Sequence, residues 1–151
     1  MRLVLDTGVL VEYIVRRAPL RERARYILEE APRAGAKLYI SAVTLSEVLY
    51  VASRIYSAAG LERPNAEALN YVTWLRARAE VVEASWEVAE RAGEIKKRLR
   101  IALPDCYVIA TALAVRGTPI FRSLEEEMRP VERDLRGLGV RFLGELETPL
   151  R

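Results

Sequence analysis

The chain of 151 residues contains no histidine and a single cysteine, Cys106. Without histidine there can be no Ser–His or Cys–His nucleophilic pair, no imidazole acid–base chemistry and no imidazole metal ligand. One cysteine rules out an intramolecular disulfide and a cysteine-rich zinc cage. Glutamine is absent, asparagine occurs only at Asn65 and Asn70, and lysine is scarce beside arginine. Long apolar runs are also missing, since none approaches the ~20 residues of a membrane helix. The start, Met1 to Asp6, places an acid after three apolar residues, which does not read as a signal peptide. The cytoplasm is therefore the expected location. The groups left for chemistry are carboxylates, hydroxyls, lysine and tyrosine, so any bound metal must be held by oxygen, which favours Mg²⁺ or Mn²⁺.

With 51% hydrophobic and 30% charged residues, the composition is that of an ordinary globule. Its length suits one domain over 1–151, large enough to bury a core unaided. A net charge of +3, carried mostly by arginine, is compatible with phosphate contacts without demanding them.

Periodicity orders the elements. Arg2–Leu5 reads as a buried strand ending in Asp6-Thr7-Gly8. Helical patterns follow over 9–15 and 20–30, then a second strand over 37–40. The next helix is expected over 44–58, a loop over 60–65 and a helix over 66–77, with Val81-Val82 as a third strand. Ser85 can cap a helix running to Leu99. Pro104 suits the first turn of another over 105–115, with Gly117 as its C-cap. Ile120-Phe121 is a fourth strand, short helices are expected over 124–128 and 130–138, and 140–143 is the last strand. The tail after Gly144 is expected to fray. Short strands separated by helices imply an α/β fold, a short parallel sheet of about five strands flanked by helices.

Acids recur where strands end. Asp6 follows the first strand, Glu47 lies early in the helix after the second, Asp105 opens a helix, and Glu125 and Glu126 follow the fourth strand. Carboxyl ends of parallel strands form the ligand crevice of open α/β sheets. Each acid also has a purely structural reading. Asp6 could be an N-cap, Thr44-x-x-Glu47 and Ser123-x-x-Glu126 could be capping boxes, and Asp105 could complement a helix dipole. Taken together, several carboxylates at one crevice repel one another, and a divalent cation resolves that repulsion. The apolar neighbours of Asp6 and Asp105 make unpaired charge there costly. Thr7 and Thr111 are nearby hydroxyls that could orient ligands, Thr111 being better explained by helix packing. The large apolar residues of the 66–77 helix, Leu69, Val72 and Trp74, read as core or as a surface for a partner.

Three segments, Leu3-Val4-Leu5-Asp6-Thr7, Ser41 to Val48, and Leu103 to Ala112, resemble in order the acidic motifs of PIN domains. The resemblance spans nearly the whole chain, and its length is close to that of VapC-type toxins. It implies a PIN-like fold and a Mg²⁺- or Mn²⁺-dependent endoribonuclease, with Asp6, Glu47 and Asp105 as metal-binding acids. It also implies a homodimer and an antitoxin partner. The family's fourth motif, Thr-x-Asp, is represented by Ser123-Leu124-Glu125, making Glu125 the fourth acid, with Glu126 as the alternative. Arg16, Arg17 and Arg122 are candidates for holding an RNA backbone. Two rival readings remain. One is a PIN-fold RNA- or protein-binding module with weakened catalysis, suggested by the altered fourth motif. The other is a phosphatase of the haloacid-dehalogenase type, which needs a second Asp where Gly8 stands.

Overall fold

A computed structural model describes residues 1–150. Five parallel strands form one sheet: β1 (Arg2–Leu5), β2 (Lys37–Ser41), β3 (Glu80–Val82), β4 (Thr118–Phe121) and β5 (Arg141–Phe142). Their order is β3-β2-β1-β4-β5, so β1 is central and the chain winds outward from it in both directions. The connecting helices are α1 (Thr7–Ile14), α2 (Arg21–Arg25), α3 (Ala42–Ala58), α4 (Pro64–Arg76), α5 (Trp86–Leu99), α6 (Leu103–Val115) and α7 (Glu132–Gly137).

Both faces of a parallel sheet are covered, so its strands are apolar throughout. Alternation along β1 and its neighbours sends Leu3, Leu5, Leu38, Ile40 and Ile120 to one side. There they meet Leu10, Ile27, Leu28, Val48 and Leu75. Val4, Tyr39, Phe121 and Phe142 face the other side, against Ile95, Leu99, Ile109 and Leu135. On α4, Val72 is buried and Trp74 stacks on Tyr13 of α1 with ring centroids 5.1 Å apart. The core reading holds for both, whereas Leu69 is 57% exposed. Tyr71 donates its hydroxyl to the Leu10 carbonyl at 2.6 Å, tying α4 to α1.

Several expected boundaries shift for identifiable reasons. The helix expected from Thr44 begins at Ala42, because β2 runs directly into α3 and Ser41, its last residue, is the N-cap; Ser41 Oγ accepts from Val43 N at 3.2 Å. The 20–30 helix is α2 followed by a wider π turn over Tyr26–Glu30. The α4 helix starts two residues early, at Pro64 in its first turn. The 124–128 helix is a 3₁₀ segment, Glu126–Val131, leading into α7. The last strand is shorter than expected, at Arg141–Phe142.

Gly117 is not the left-handed C-cap of α6. Arg116 takes that conformation, with φ 54°, while Gly117 makes a close approach: a Cβ there would lie 3.1 Å from the Arg2 carbonyl. Nor do residues 145–150 fray. Leu146 is buried, and Leu150 N donates to the Tyr26 hydroxyl at 3.2 Å. No helix among the described residues is long and apolar enough to cross a membrane.

Left-handed backbone is strained for any side-chain-bearing residue. Arg116→Gly is therefore expected to raise stability by up to about 1 kcal/mol, the gain being trimmed by glycine's extra freedom in the unfolded chain. Thermal denaturation checks this, and a lowered midpoint would show that Arg116 contributes more through its side chain than it costs.

Candidate metal centre

The sheet order reverses around β1, so the crevice of this fold opens at the carboxyl end of that strand. Asp6 stands there, the first residue after β1, with its backbone N–H donating to Ile120 O of the neighbouring strand at 3.0 Å. Its extended backbone (φ −77°, ψ 157°) makes it the N-cap of α1, and its Oδ2 accepts from Gly8 N at 3.1 Å. The capping role and membership of the acid cluster thus coexist. Gly8 is required by crowding, since a Cβ would sit 2.8 Å from Arg122 Cβ and 3.1 Å from Asp6 Oδ2.

Glu47 reaches the same place from α3. Thr7 Oγ1 donates to Glu47 Oε1 at 2.8 Å, joining the residue after Asp6 to the second acid. Because Ser41 caps α3, the Thr44–Glu47 capping box does not form; Thr44 is buried three residues into the helix and Glu47 is free of any capping duty. Asp105 lies in the first turn of α6 next to Pro104. Glu125 follows β4 as the residue preceding the 3₁₀ segment, with no side-chain cap bond there. The Ser123–Glu126 capping box is likewise absent, and Ser123 Oγ instead receives Arg122 Nη1 at 3.4 Å.

Electrostatics link these side chains. Burial pushes the Asp6 carboxyl up to about 7; bonds from the Gly8 and Thr7 backbone oppose this, while the charges of Glu47 and Glu125 add to it. Burial also raises Asp105, to about 8, reinforced by the charges of Asp6, Glu125, Glu47 and Glu127. The charges named in both cases are negative, which is the signature of a carboxylate cluster lacking internal compensation. Of the two candidates for the fourth acid, Glu125 is the one that bears on both aspartates. Glu127 was not anticipated, although the run Glu125-Glu126-Glu127 was visible.

The arrangement is open. Among the described residues, no three Asp, Glu or Cys side chains come together closely enough to grip an ion between them. In chemistry, however, the donor set fits a hard divalent cation: carboxylate oxygens, with the Asp6 and Asp105 carboxyls raised by burial and then by mutual repulsion. The remaining candidates lie elsewhere or are committed. Arg16 and Arg17 are exposed in the turn that follows α1, at the opposite end of that helix from Asp6. Arg122 is bound to Glu12 at 2.5 Å. Thr111 is buried within α6 and its hydroxyl has no partner. Glu12 itself, 4% exposed, is a buried acid that sequence reasoning passed over.

A parallel α/β sheet with acids gathered at its central switch point defines a class of domain, and one family model accounts for it. The PIN domain model matches residues 3–133, and the chain belongs to that family. No curated protein matches the sequence. Several solved structures share the fold. A chain of VapBC2 from Rickettsia felis, bound to a DNA fragment from their promoter, is 16% identical with a TM-score of 0.66, covering 94% of this chain and 98% of that one. A chain of DNA-bound VapBC from Salmonella typhimurium is 20% identical with a TM-score of 0.65, covering 95% and 98% respectively. The Mycobacterium tuberculosis toxin VapC20, described as cleaving the sarcin-ricin loop, is 14% identical with a TM-score of 0.63, covering 85% and 94%.

The raised aspartate values fix the sign of a pH effect. Between about 4 and 8 the unfolded carboxyls ionise while the folded ones keep their protons, so stability falls as pH rises across that window. Denaturant unfolding in EDTA is expected to give a more stable protein at the acid end than at the alkaline end. Asp105→Asn should flatten the slope and stabilise the alkaline form; an unchanged slope would mean that Asp105 titrates normally.

Proposed function

We propose that this protein is a metal-dependent endoribonuclease that hydrolyses RNA phosphodiester bonds, with Asp6, Glu47, Asp105 and Glu125 as the acids that hold Mg²⁺ or Mn²⁺. The observation that carries this reading is the coupling of acids from four separate segments of the fold at the end of β1. Such a set costs free energy when ionised and alone, and becomes favourable when a doubly charged cation neutralises it.

A bound divalent ion would supply charge neutralisation on the phosphate and a water acidified enough to attack phosphorus. The chain's own residues set the stage for this. Asp6 is oriented by the bonds that its carboxylate accepts from the backbone of Gly8 and Thr7. Thr7 fixes one oxygen of Glu47 and so limits the directions in which that carboxylate can swing. Asp105 projects from a helix N-terminal turn, where the dipole favours its charged form once the repulsion is relieved. Glu125 follows β4, and its charge bears on both Asp6 and Asp105.

The biological setting belongs to the same proposal. The protein acts in the cytoplasm as the toxin of a VapBC-type pair, as a homodimer whose site an antitoxin blocks; support comes from the VapBC complexes that share the fold. RNA as substrate is supported by the PIN family membership and by the loop-cleaving toxin of the same fold.

A second reading has specific support. The Ser123-Leu124-Glu125 variant of the fourth motif and the open spacing of the acids fit a binding module with weakened catalysis. Cleavage separates the two. Wild-type protein with Mn²⁺ is expected to cut single-stranded RNA and to stop when EDTA is added. Asp105→Asn is expected to lose more than about 100-fold in rate. RNA bound without any metal-dependent cleavage would favour the binding module.

A further inference from the structure

Glu12 is buried on α1, yet it belongs to neither the acid cluster nor the core. One of its oxygens accepts from Leu20 N at 2.8 Å; the other accepts from Arg122 Nε at 2.5 Å. Burying a carboxylate is costly unless its oxygens are satisfied, and here both are. The Arg122 side chain is 41% exposed against 5% for Glu12, so the guanidinium sits at the open end of the pair and has room to move.

The stem of Arg122 passes directly beside the acid cluster. Its Cβ and Asp6 Oδ2 both lie within about 3 Å of the point where a Gly8 Cβ would be, which makes them neighbours across that glycine. Arg122 also lies three residues before Glu125. An arginine released at this position is long enough to fold back onto Asp6 or Glu125. There its fixed charge would neutralise the carboxylates in the same way as a cation. The charges that act on Asp6 and Asp105 in the folded protein are nevertheless carboxylates.

We propose that Glu12 is a positioning residue that captures Arg122 and keeps its guanidinium off the acid cluster, leaving those carboxylates available to a divalent cation. This rests on the metal-centre reading above. It also gives the buried ion pair a purpose beyond stability, since such pairs seldom stabilise more than an apolar replacement would. Besides Arg122, Glu12 holds only Leu20 N, and among the described residues it makes no hydrogen bond or ion pair with a cluster acid.

Three variants test it: Glu12→Gln, Arg122→Met and the double substitution, each checked by circular dichroism and thermal unfolding. Mn²⁺ affinity by calorimetry is expected to fall at least roughly tenfold in Glu12→Gln, the scale on which residues supporting metal ligands act. It should be retained in Arg122→Met, although that variant loses stability, and restored in the double variant. A metal-free crystal structure of Glu12→Gln is expected to place the Arg122 guanidinium on Asp6 or Glu125. Arg122 remaining in its original position there, or Arg122→Met weakening Mn²⁺ as much as Glu12→Gln does, would overturn the proposal. Should wild-type protein fail to bind Mn²⁺, the metal-centre reading falls, and the position of Arg122 in the Glu12→Gln structure still decides the role of Glu12.

Discussion

Negative charge without a counter-charge at the carboxyl end of β1 is the constraint around which this molecule is arranged. Asp6 cannot move away, because its backbone continues the central strand and its side chain begins α1. Burial and the neighbouring carboxylates raise its proton affinity, and Asp105 is raised for the same reasons. A folded protein seldom keeps such an arrangement for stability alone, since apolar or paired groups would serve better. It is the kind of strain that a ligand relieves, and perturbed carboxyls of this type concentrate where chemistry is done.

The fold supplies that arrangement economically. The reversal of strand order around β1 leaves a crevice that helices border from several directions. Asp6 and Glu125 arrive from the ends of adjacent strands, Glu47 from the helix after β2, and Asp105 from a helix whose proline-bearing first turn is fixed in place. Contacts around the cluster direct individual atoms: Gly8 N holds one oxygen of Asp6, Thr7 holds one of Glu47, and Glu12 holds the nearest arginine.

Much of this was legible in the sequence, for physical reasons. Runs such as Leu3-Val4-Leu5 read as buried parallel strands because both faces must be apolar, and Asp6 stands out as the first polar residue after one. The absence of histidine narrowed any metal chemistry to oxygen ligands. Asp6 and Asp105 stand out as acids set in apolar surroundings, where unpaired charge is costly. What was not legible depended on atoms distant in sequence or on competition between neighbours. Ser41 won the capping position from Thr44 because β2 and α3 join without a loop. Arg116 takes the left-handed position that Gly117 was expected to fill, and Gly117 packs instead against the Arg2 carbonyl. The Glu12–Arg122 pair joins residues 110 positions apart, and the docking of the tail on Tyr26 spans 124. No local pattern announces either.

The central claim is that protons and a divalent cation compete for the same carboxylates. Calorimetric titration of the metal-free protein with Mn²⁺ near pH 7, repeated in buffers of different ionisation enthalpy, measures that competition directly. Binding accompanied by proton release, diminishing as pH rises above the Asp105 value of about 8, is the predicted result. Absence of binding, or binding with no protons released, would contradict the account.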